Sequence, residues 1–494
     1  MGEQGSPRKE ECLILKEALE DKEDIERKRK EESLKNSVKD SAAVNATVGF
    51  GDNYISAYAV AMNATTSQIA MVTSIPNLVA PLAQLFTPKI MEKVSRRKIF
   101  SIAILIQSLL WIPIILVTLL FIKKIEYAPL FIVIFYTIYA IAGNFASPAW
   151  ASWIGDLIDK KSAGRFFGLR SKIGGVTVLV SMILGGLILN LFEKKIRVIS
   201  GITWIVLIGF SIIFFFAMIF RLISRKYVLK QYDPGFKIQP GYYFSLVSFI
   251  KKSYKNNYGK FVWYVSLMVL ATNIAGPLTT IYVLKNLNFS YLQYMIFLVA
   301  SAVSNFMFMP LWGRFSDKYG NIKLITITGY MVPFVILLWG IPYFTGLEIT
   351  NPTLTFYFYV IIQLFAGFCW SGFNLAAGNF VYDVATPARR SLCVAYSSVL
   401  NGVGVFIGAT IGGILATSLS ISFMNKIMFV LLLSGVLRLV VSIIFHNKIK
   451  EVKKVEKYRV QFKMHFPTNP NLGLMQLILP IKGIKNIFTR KNKK

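Results

Sequence analysis

A stripe of polar and small residues between positions 45 and 56 has the chemistry to bind an ion or a polar solute. Asn45, Gly49, Asp52 and Ser56 are separated by four, three and four residues, so on an α-helix they would share one face. The carboxylate of Asp52 could carry a proton, pair with a cationic solute or coordinate sodium. The alternative is a hydrogen-bonded structural acid, so its role depends on the environment of this helix.

That environment is predicted to be a lipid bilayer. Of the 494 residues, 54% are hydrophobic and only 16% are charged, which is outside the range of soluble globular proteins. A helix that spans the hydrocarbon needs about 20 mostly apolar residues, because no water is present to satisfy the backbone. Twelve such runs are predicted, at 40–63, 67–90, 99–122, 128–154, 165–192, 198–220, 260–284, 290–312, 323–346, 353–380, 391–419 and 423–446.

Within these runs Asp52 is the deepest acid. It lies about 11 residues from either end of its run, roughly 16 Å at 1.5 Å per residue. A carboxylate at that depth is costly unless it is paired, protonated or hydrated, so it is a functional candidate. Polar and aromatic residues of other runs could complete a central site, and they are Asn144, Ser147, Thr272, Asn273, Asn305, Trp370, Asn374 and Asn401. Individually, each such residue is more often a helix-packing contact than a ligand. Together they would suit a neutral or amphipathic organic solute.

Lysine and arginine predict the orientation of the chain, because positive charge is retained on the cytoplasmic side. The loops richest in basic residues include 93–98, 160–165, 314–323 and 389–390. With an even number of spans, both termini are predicted to lie in the cytoplasm of a multi-pass plasma-membrane protein. The predicted segments are a charged cytosolic tail (1–38), a first six-helix bundle (39–220), a basic cytosolic linker (221–259), a second six-helix bundle (260–447) and a basic cytosolic tail (448–494).

The net charge of +31 would also fit nucleic-acid binding, but the excess lies beside the predicted spans. Topology and anionic lipid headgroups explain it better, so lipid is a predicted partner and nucleic acid is not. Paired catalytic motifs, phosphate-binding loops and nucleophile elbows are absent from the sequence, and the two histidines lie at 446 and 465. We therefore predict that the protein is not an enzyme and has no cofactor or metal. We also predict a monomer.

An internal repeat links two charged loops. With a shift of 225 residues, PKIMEKVSRRKI (88–99) aligns with GRFSDKYGNIKL (313–324), and Glu92 aligns with Asp317. The same shift pairs Thr47 with Thr272. These matches fall at equivalent places in two sets of six predicted helices, which indicates a duplicated architecture.

Over roughly residues 39–447 the sequence resembles the major facilitator superfamily of secondary transporters. GRFSDKYGNIK is similar to that family's loop G-x-x-x-D-[RK]-x-G-[RK]-[RK], which occurs between helices 2 and 3 and again between helices 8 and 9. The first copy departs from the pattern at Pro88, Glu92 and Ser95. The resemblance implies an all-α integral membrane fold, with 12 transmembrane helices in two pseudo-symmetric six-helix bundles that alternate access to a central site.

The resemblance also implies a cytoplasmic gate. A carboxylate beside a basic residue at a helix end can form charge-assisted hydrogen bonds that latch the two bundles, or it can be a solvated topology charge contributing about 0 to 1 kcal/mol. After the fourth and tenth helices, Asp156 precedes Arg165 and Asp383 precedes Arg390. These pairs could belong to the same gate, or the arginine could simply offset an acid at a helix C-terminus. The gate candidates are Glu92, Arg96, Arg97, Asp156, Arg165, Gly313, Arg314, Asp317, Lys318, Gly320, Asp383 and Arg390.

Two departures bear on the substrate. Tyr139 occupies the position where many proton-coupled members carry an arginine, and Met182 stands where drug-proton antiporters carry a proline. These departures argue against proton-driven drug efflux. The resemblance as a whole predicts a secondary active transporter of a small organic solute, with H+ or Na+ as candidate coupling ions. The alternatives are an uncoupled facilitator and a transporter-like membrane receptor or scaffold.

Overall fold

The computed structural model describes residues 7–123, 125, 127–158, 163–198, 204–235, 245–384, 387–420 and 422–452, and these form helices and connecting turns with no β-strand among them. The α-helices are α1 (Pro7–Phe50), α2 (Ile55–Ala61), α3 (Thr66–Ala83), α4 (Thr87–Met91), α5 (Arg96–Ile122), α6 (Ala128–Leu157), α7 (Ala163–Val198), α8 (Trp204–Leu229), α9 (Leu246–Ser253), α10 (Asn257–Ile281), α11 (Tyr291–Tyr319), α12 (Asn321–Leu337), α13 (Gly340–Phe344), α14 (Leu347–Thr350), α15 (Pro352–Val384), α16 (Pro387–Ser418) and α17 (Lys426–Phe445). A 3-10 turn (Asp52–Tyr54) precedes α2, and a π-helical turn (Tyr282–Asn286) follows α10.

Ten helical segments of the described chain are long and apolar enough to cross a membrane, and they correspond to the third through twelfth predicted spans. The first two predicted spans correspond to α1 with α2, and to α3. The charged N-terminal portion of α1 and the polar residues of α3, Gln68 and Asn77 among them, keep both outside that set. The total of twelve spans therefore stays a prediction.

Helix packing repeats between two groups of six. In the N-terminal half, α1 packs on α7 and α8, α3 packs on α6, and α5 packs on α6 and α8. In the C-terminal half, α10 packs on α16 and α17, α11 packs on α15, and α12 packs on α15 and α17. The halves meet where α3 packs on α16 and where α7 packs on α11. When each helix is replaced by its counterpart in the other half, one of these contacts becomes the other. The fold is therefore pseudo-symmetric.

Helix α1 begins within the segment 1–38, which the sequence predicts to be a charged cytosolic tail. Residues 24–29 are exposed, but Ser33, Asn36 and Ser37 are buried. Ser33 Oγ accepts a hydrogen bond of 2.6 Å from the backbone N–H of Tyr232, which follows α8. The small side chains on this face let α1 pack against that segment, so the helix is structured well before the predicted span begins.

Helix α8 also runs past its predicted end at residue 220. Arg221, expected to open the cytosolic linker, lies inside α8 and is only 6% exposed. A charged residue ended the apolar run in the sequence, but hydrogen-bond partners on neighbouring helices allow the helix to bury it.

Candidate functional site

The stripe predicted on one continuous helix is interrupted at Asp52. Helix α1 ends at Phe50, the 3-10 turn begins at Asp52, and α2 begins at Ile55. A Cβ atom at Gly51 would overlap the ring of Trp111, so a glycine permits the chain to bend against α5. The break leaves Asp52 half-buried, and its Oδ1 atom has no hydrogen-bond partner within the described structure.

Three groups on other helices face this carboxylate, and one of them is the Tyr136 hydroxyl of α6. The Tyr139 hydroxyl of α6 lies within reach of Asp52, and the Arg221 guanidinium of α8 lies within electrostatic range. The Tyr139 ring stacks on Tyr136 with a centroid separation of 5.6 Å. In this arrangement the phenol comes from α6 and the cation comes from α8. A carboxylate, a phenol and a guanidinium together can bind a proton, a cation or a polar solute.

The position of Arg221 is fixed by neighbouring side chains. Its Nε donates to Gln107 Oε1 at 3.0 Å, its Nη2 donates to the same oxygen, and its Nη1 donates to Ser224 Oγ at 3.3 Å. Gln107 Nε2 in turn donates to the carbonyl oxygen of Tyr139 at 3.0 Å. The network orients the arginine beside Tyr139 and Asp52. Assignment of residue 221 to a cytosolic linker removed this arginine from the sequence-based candidates.

A fully buried acid, Asp40 on α1, was also absent from the sequence-based candidates. It is 1% exposed and accepts hydrogen bonds from Ser224 Oγ at 2.6 Å and from Arg170 Nη2 at 3.3 Å. The Arg170 guanidinium also lies over the Trp150 ring, 4.5 Å from its centroid. These contacts join α1, α7 and α8. The serines at 33, 37 and 41 recur every four residues just before and after Asp40, a signal for a buried polar face.

Among the remaining candidates of the N-terminal half, two are engaged by neighbouring groups. Asn45 Nδ2 donates to the carbonyl of Ser41 at 2.7 Å, within its own helix. Asn144 Oδ1 accepts from Gln84 Nε2 at 2.7 Å and so joins α6 to α3. Ser56 is half-buried and Ser147 is exposed. The structure therefore does not gather these four around Asp52 through side-chain hydrogen bonds in the described chain.

In the C-terminal half, most candidates serve packing. Asn273 Nδ2 donates to Val269 O at 2.8 Å, and Asn401 Oδ1 accepts from Ser266 Oγ at 2.8 Å. The Trp370 ring packs edge-on against Phe373 at 5.5 Å. Half-buried Asn305 and exposed Asn374 are the other two candidates besides Thr272. The Thr272 hydroxyl differs, because it is buried without a hydrogen-bond partner in the described structure.

The charged cluster at the start of α5 joins parts of the N-terminal half to one another. Arg96 is fully buried, and its Nη1 contacts Asp156 Oδ2 at 2.5 Å. Its Nη2 contacts Asp233 Oδ1 at 3.0 Å and donates to the carbonyl of Gly235 at 2.6 Å. Asp156 therefore pairs with Arg96, and the side chain of Arg165, its expected partner, lies outside the described residues.

The C-terminal half contains a related arrangement. Asn321, which the 225-residue shift aligns with Arg96, donates from Nδ2 to Asp383 Oδ2 at 2.6 Å. The chain after α17 returns to this helix end, where Glu451 Oε2 accepts from the backbone N–H of Ile322 at 2.8 Å. Asp233 Oδ2 accepts similarly from the Arg97 N–H at 3.3 Å. The side chain of Arg390 lies outside the described residues.

The acids of the repeated loop face outward in this structure. Glu92, Arg97, Arg314, Asp317 and Lys318 are all exposed. Within the described chain, the carboxylates of Glu92 and Asp317 form neither a hydrogen bond nor an ion pair. Gly313 is half-buried, while Gly320 is buried with φ of +93° and has the Glu451 carboxylate where its Cβ would lie. A latch between the halves stays a prediction.

Comparison with known proteins identifies the architecture. The family model described as Major Facilitator Superfamily matches residues 42–345 and 261–491. The nucleoside transporter NupG is 16% identical with a TM-score of 0.57, covering 85% of this chain and 98% of its own. The inward-open xylose transporter XylE from E. coli is 14% identical with a TM-score of 0.61, covering 85% of this chain and 96% of its own.

A further solved structure, described as a D-xylose-proton symporter, is 14% identical with a TM-score of 0.59 and covers 86% of this chain and 99% of its own. No curated protein matches the sequence. At these identities the structural likeness establishes the fold, while the family match extends over most of the chain. The protein is a multi-pass membrane transporter that belongs to the Major Facilitator Superfamily.

Proposed function

We propose that this protein is a secondary active transporter that carries a small organic solute across the plasma membrane, with both termini in the cytoplasm. Its two halves alternate access to a site that includes Asp52. The observation that carries the proposal is the helix break at Asp52, where a carboxylate oxygen has no hydrogen-bond partner in the described structure. A buried carboxylate oxygen without a partner inside a transmembrane bundle is costly, so it supports a binding or coupling role.

The surroundings of Asp52 support coupling to an ion. Arg221 lies within electrostatic range of the carboxylate and Tyr139 lies beside it. Protonation of Asp52, or its binding of sodium, would weaken its attraction to Arg221 and alter the α1–α8 contact. Since α1 also packs on α7, and α7 contacts the other half through α11, such a change has a physical route to the interface between the halves.

The chemistry of the site and the similar proteins suggest a set of candidate substrates. NupG transports nucleosides and XylE transports xylose, so neutral polar solutes of this size form the first test group. Amino acids, organic acids and lipophilic cations form the second. Anionic lipid headgroups would contact the basic flanks, and neither nucleic acid nor a second copy of the chain is required.

The proposal is tested by flux into proteoliposomes containing the purified protein, with each solute group supplied in turn under imposed pH and sodium gradients. We expect uptake that depends on one gradient and that is lost in Asp52→Asn. Asp24→Asn is the matched control, because it makes the same chemical change at an exposed acid on α1. Uptake that ignores both gradients would favour an uncoupled facilitator, and no flux of any solute would favour a receptor or scaffold.

A further inference from the structure

Arg438 on α17 is a buried cation with almost no internal partner. The residue is only 4% exposed. Its Nη2 donates to the carbonyl oxygen of Thr272 at 3.4 Å. Its Nε has no hydrogen-bond partner in the described chain, and neither does the buried hydroxyl of Thr272. Two unsatisfied polar groups thus belong to residues in direct contact, one on α17 and one on α10.

The N-terminal half shows what such an arginine ordinarily requires. Arg221 occupies α8, the counterpart of α17, and it is held by Gln107 and Ser224. The carboxylates of Asp40 and Asp52 both lie within electrostatic range of it. Arg221 therefore has both hydrogen-bond acceptors and negative charge around it.

The C-terminal half does not repeat these partners, and under the 225-residue shift Arg438 itself aligns with Ile213 rather than with Arg221. The 225-residue shift places Val332 where the first half has Gln107, and Pro277 where it has Asp52. Val332 is fully buried and Pro277 is buried in α10. Among the described residues no carboxylate forms an ion pair with Arg438. Apolar residues thus stand at the positions equivalent to Gln107 and Asp52.

An uncompensated buried charge costs several kcal/mol even after the protein relaxes. The folded protein bears this cost unless an anion from solution binds next to the guanidinium. We propose that Arg438 and Thr272 form a binding site for an anionic group, a carboxylate, a phosphate or a halide. The guanidinium binds such groups through charge-assisted hydrogen bonds, and the unused Nε–H and the Thr272 hydroxyl supply the donors.

The identity of the anion decides what the site does. A carboxylate or phosphate carried by the solute would make the transported molecule an organic anion, a reading that rests on the proposed transport function. A halide would instead be a bound counter-ion that neutralises Arg438 within the C-terminal half. The chemistry of recognition is the same in both cases, so the two sources are separated by experiment.

The test is thermal denaturation of the purified full-length protein in detergent, titrated with sodium acetate, sodium phosphate or sodium chloride. A ligand that binds the folded state raises the melting temperature in a saturable manner. Arg438→Gln removes the charge, and Thr272→Val removes the hydroxyl while keeping its shape. Loss of a charged hydrogen bond is worth about 1.5 to 3 kcal/mol, so we expect Arg438→Gln to weaken binding about 10- to 100-fold.

Ser434→Ala is the matched control, because Ser434 lies one turn earlier on α17 and its hydroxyl is bonded to the carbonyl of Ala271 at 2.6 Å. This variant should keep the anion response. Without added anion, Arg438→Gln should melt no lower than the wild type, because it removes an unpaired charge. A saturable response to one anion that is lost in Arg438→Gln supports the site and names its source.

Three results would overturn the site: no anion stabilises the wild type, Arg438→Gln keeps the wild-type affinity, or Arg438→Gln is destabilised without anion. The last would mean that the protein itself compensates the arginine. The flux assay with Asp52→Asn is read separately. Anion stabilisation without any flux would leave the site standing and reject the transport proposal, and flux without anion stabilisation would do the reverse.

Discussion

Arg96 and Asp156 form an ion pair of 2.5 Å between a fully buried guanidinium and a carboxylate whose side chain is 53% exposed. A second carboxylate, Asp233, lies 3.0 Å from the same arginine and is only 8% exposed. The arginine therefore joins the ends of α5 and α6 to the chain that leaves α8. This arrangement stabilises one half of the transporter rather than joining the two halves.

Arg96→Gln should destabilise the protein by about 3 to 5 kcal/mol, because it leaves the buried carboxylate of Asp233 without its partner. Asp156→Asn should cost at most about 1 kcal/mol, because that pair is open to water on one side. Thermal denaturation of both variants measures the difference. Exposed Arg97→Gln is the control, and a similar melting temperature for Arg96→Gln and Arg97→Gln would contradict this account.

The two glycines of the repeated loop should respond differently to alanine. Gly320 has φ of +93° and the Glu451 carboxylate occupies the position of a Cβ, so Gly320→Ala should destabilise the protein by more than about 1 kcal/mol. Gly313 lies within α11, where a Cβ would only touch Leu375 at 4.0 Å. Gly313→Ala should be neutral or stabilising by up to about 1 kcal/mol. Melting temperatures that fall equally would reject the role of backbone conformation.

Tyr139→Phe tests the phenol beside Asp52. The Tyr139 hydroxyl lies within reach of the Asp52 carboxylate. A hydrogen bond to a charged group is worth about 1.5 to 3 kcal/mol, so if this bond forms during transport, solute affinity or ion-coupled uptake should fall about 10-fold or more in Tyr139→Phe. Tyr127→Phe is the control, because Tyr127 lies at the start of the same helix, is 67% exposed and forms no side-chain hydrogen bond in the described chain. The comparison uses initial uptake rates across a range of solute concentrations. Equal uptake by both variants would remove Tyr139 from the site.

Asp317→Asn tests the predicted cytoplasmic latch. If the latch forms when the cytoplasmic side closes, its loss should favour the inward-open state with little effect on expression. The reporter is a cysteine introduced at exposed Ser147 in a cysteine-free background, labelled from the cytoplasmic side. We expect faster labelling in Asp317→Asn and no change in Asp24→Asn. An unchanged labelling rate would contradict the predicted latch.

Glu193 provides a contact between the halves at the opposite end of the molecule. Its Oε2 accepts from the backbone N–H of Tyr291, at the start of α11, at 3.0 Å. A side-chain acceptor at a helix start is worth about 0.5 to 2 kcal/mol, so Glu193→Ala should shift the population toward the state open on that side. Labelling of a cysteine at Ser56 from the extracellular side measures this shift. Thr65→Ala, which removes the cap of α3 within one half, should leave the rate unchanged.

The length of the apolar runs and the repeat at 225 residues were sufficient to predict a duplicated helical membrane fold, and the resemblance of GRFSDKYGNIK to the family's loop pointed to the family. Both signals are local, because a bilayer imposes its thickness on each span separately. Partners of charged residues are different, because they depend on which helices meet. Arg221 and Asp40 looked like the edges of spans, yet packing supplies each with hydrogen bonds from residues more than 100 positions away.

The sequence by itself determined the spans from Arg96 onward and the duplicated loops, and it selected Asp52 as a candidate site residue. Tertiary structure decided the rest: the bend that frees Asp52, the pairing of Asp156 with Arg96, the structured N-terminal extension of α1 and the isolation of Arg438. The physical reason is that burial of apolar length is a property of each segment, while neutralisation of a buried charge is a property of the helices packed around it.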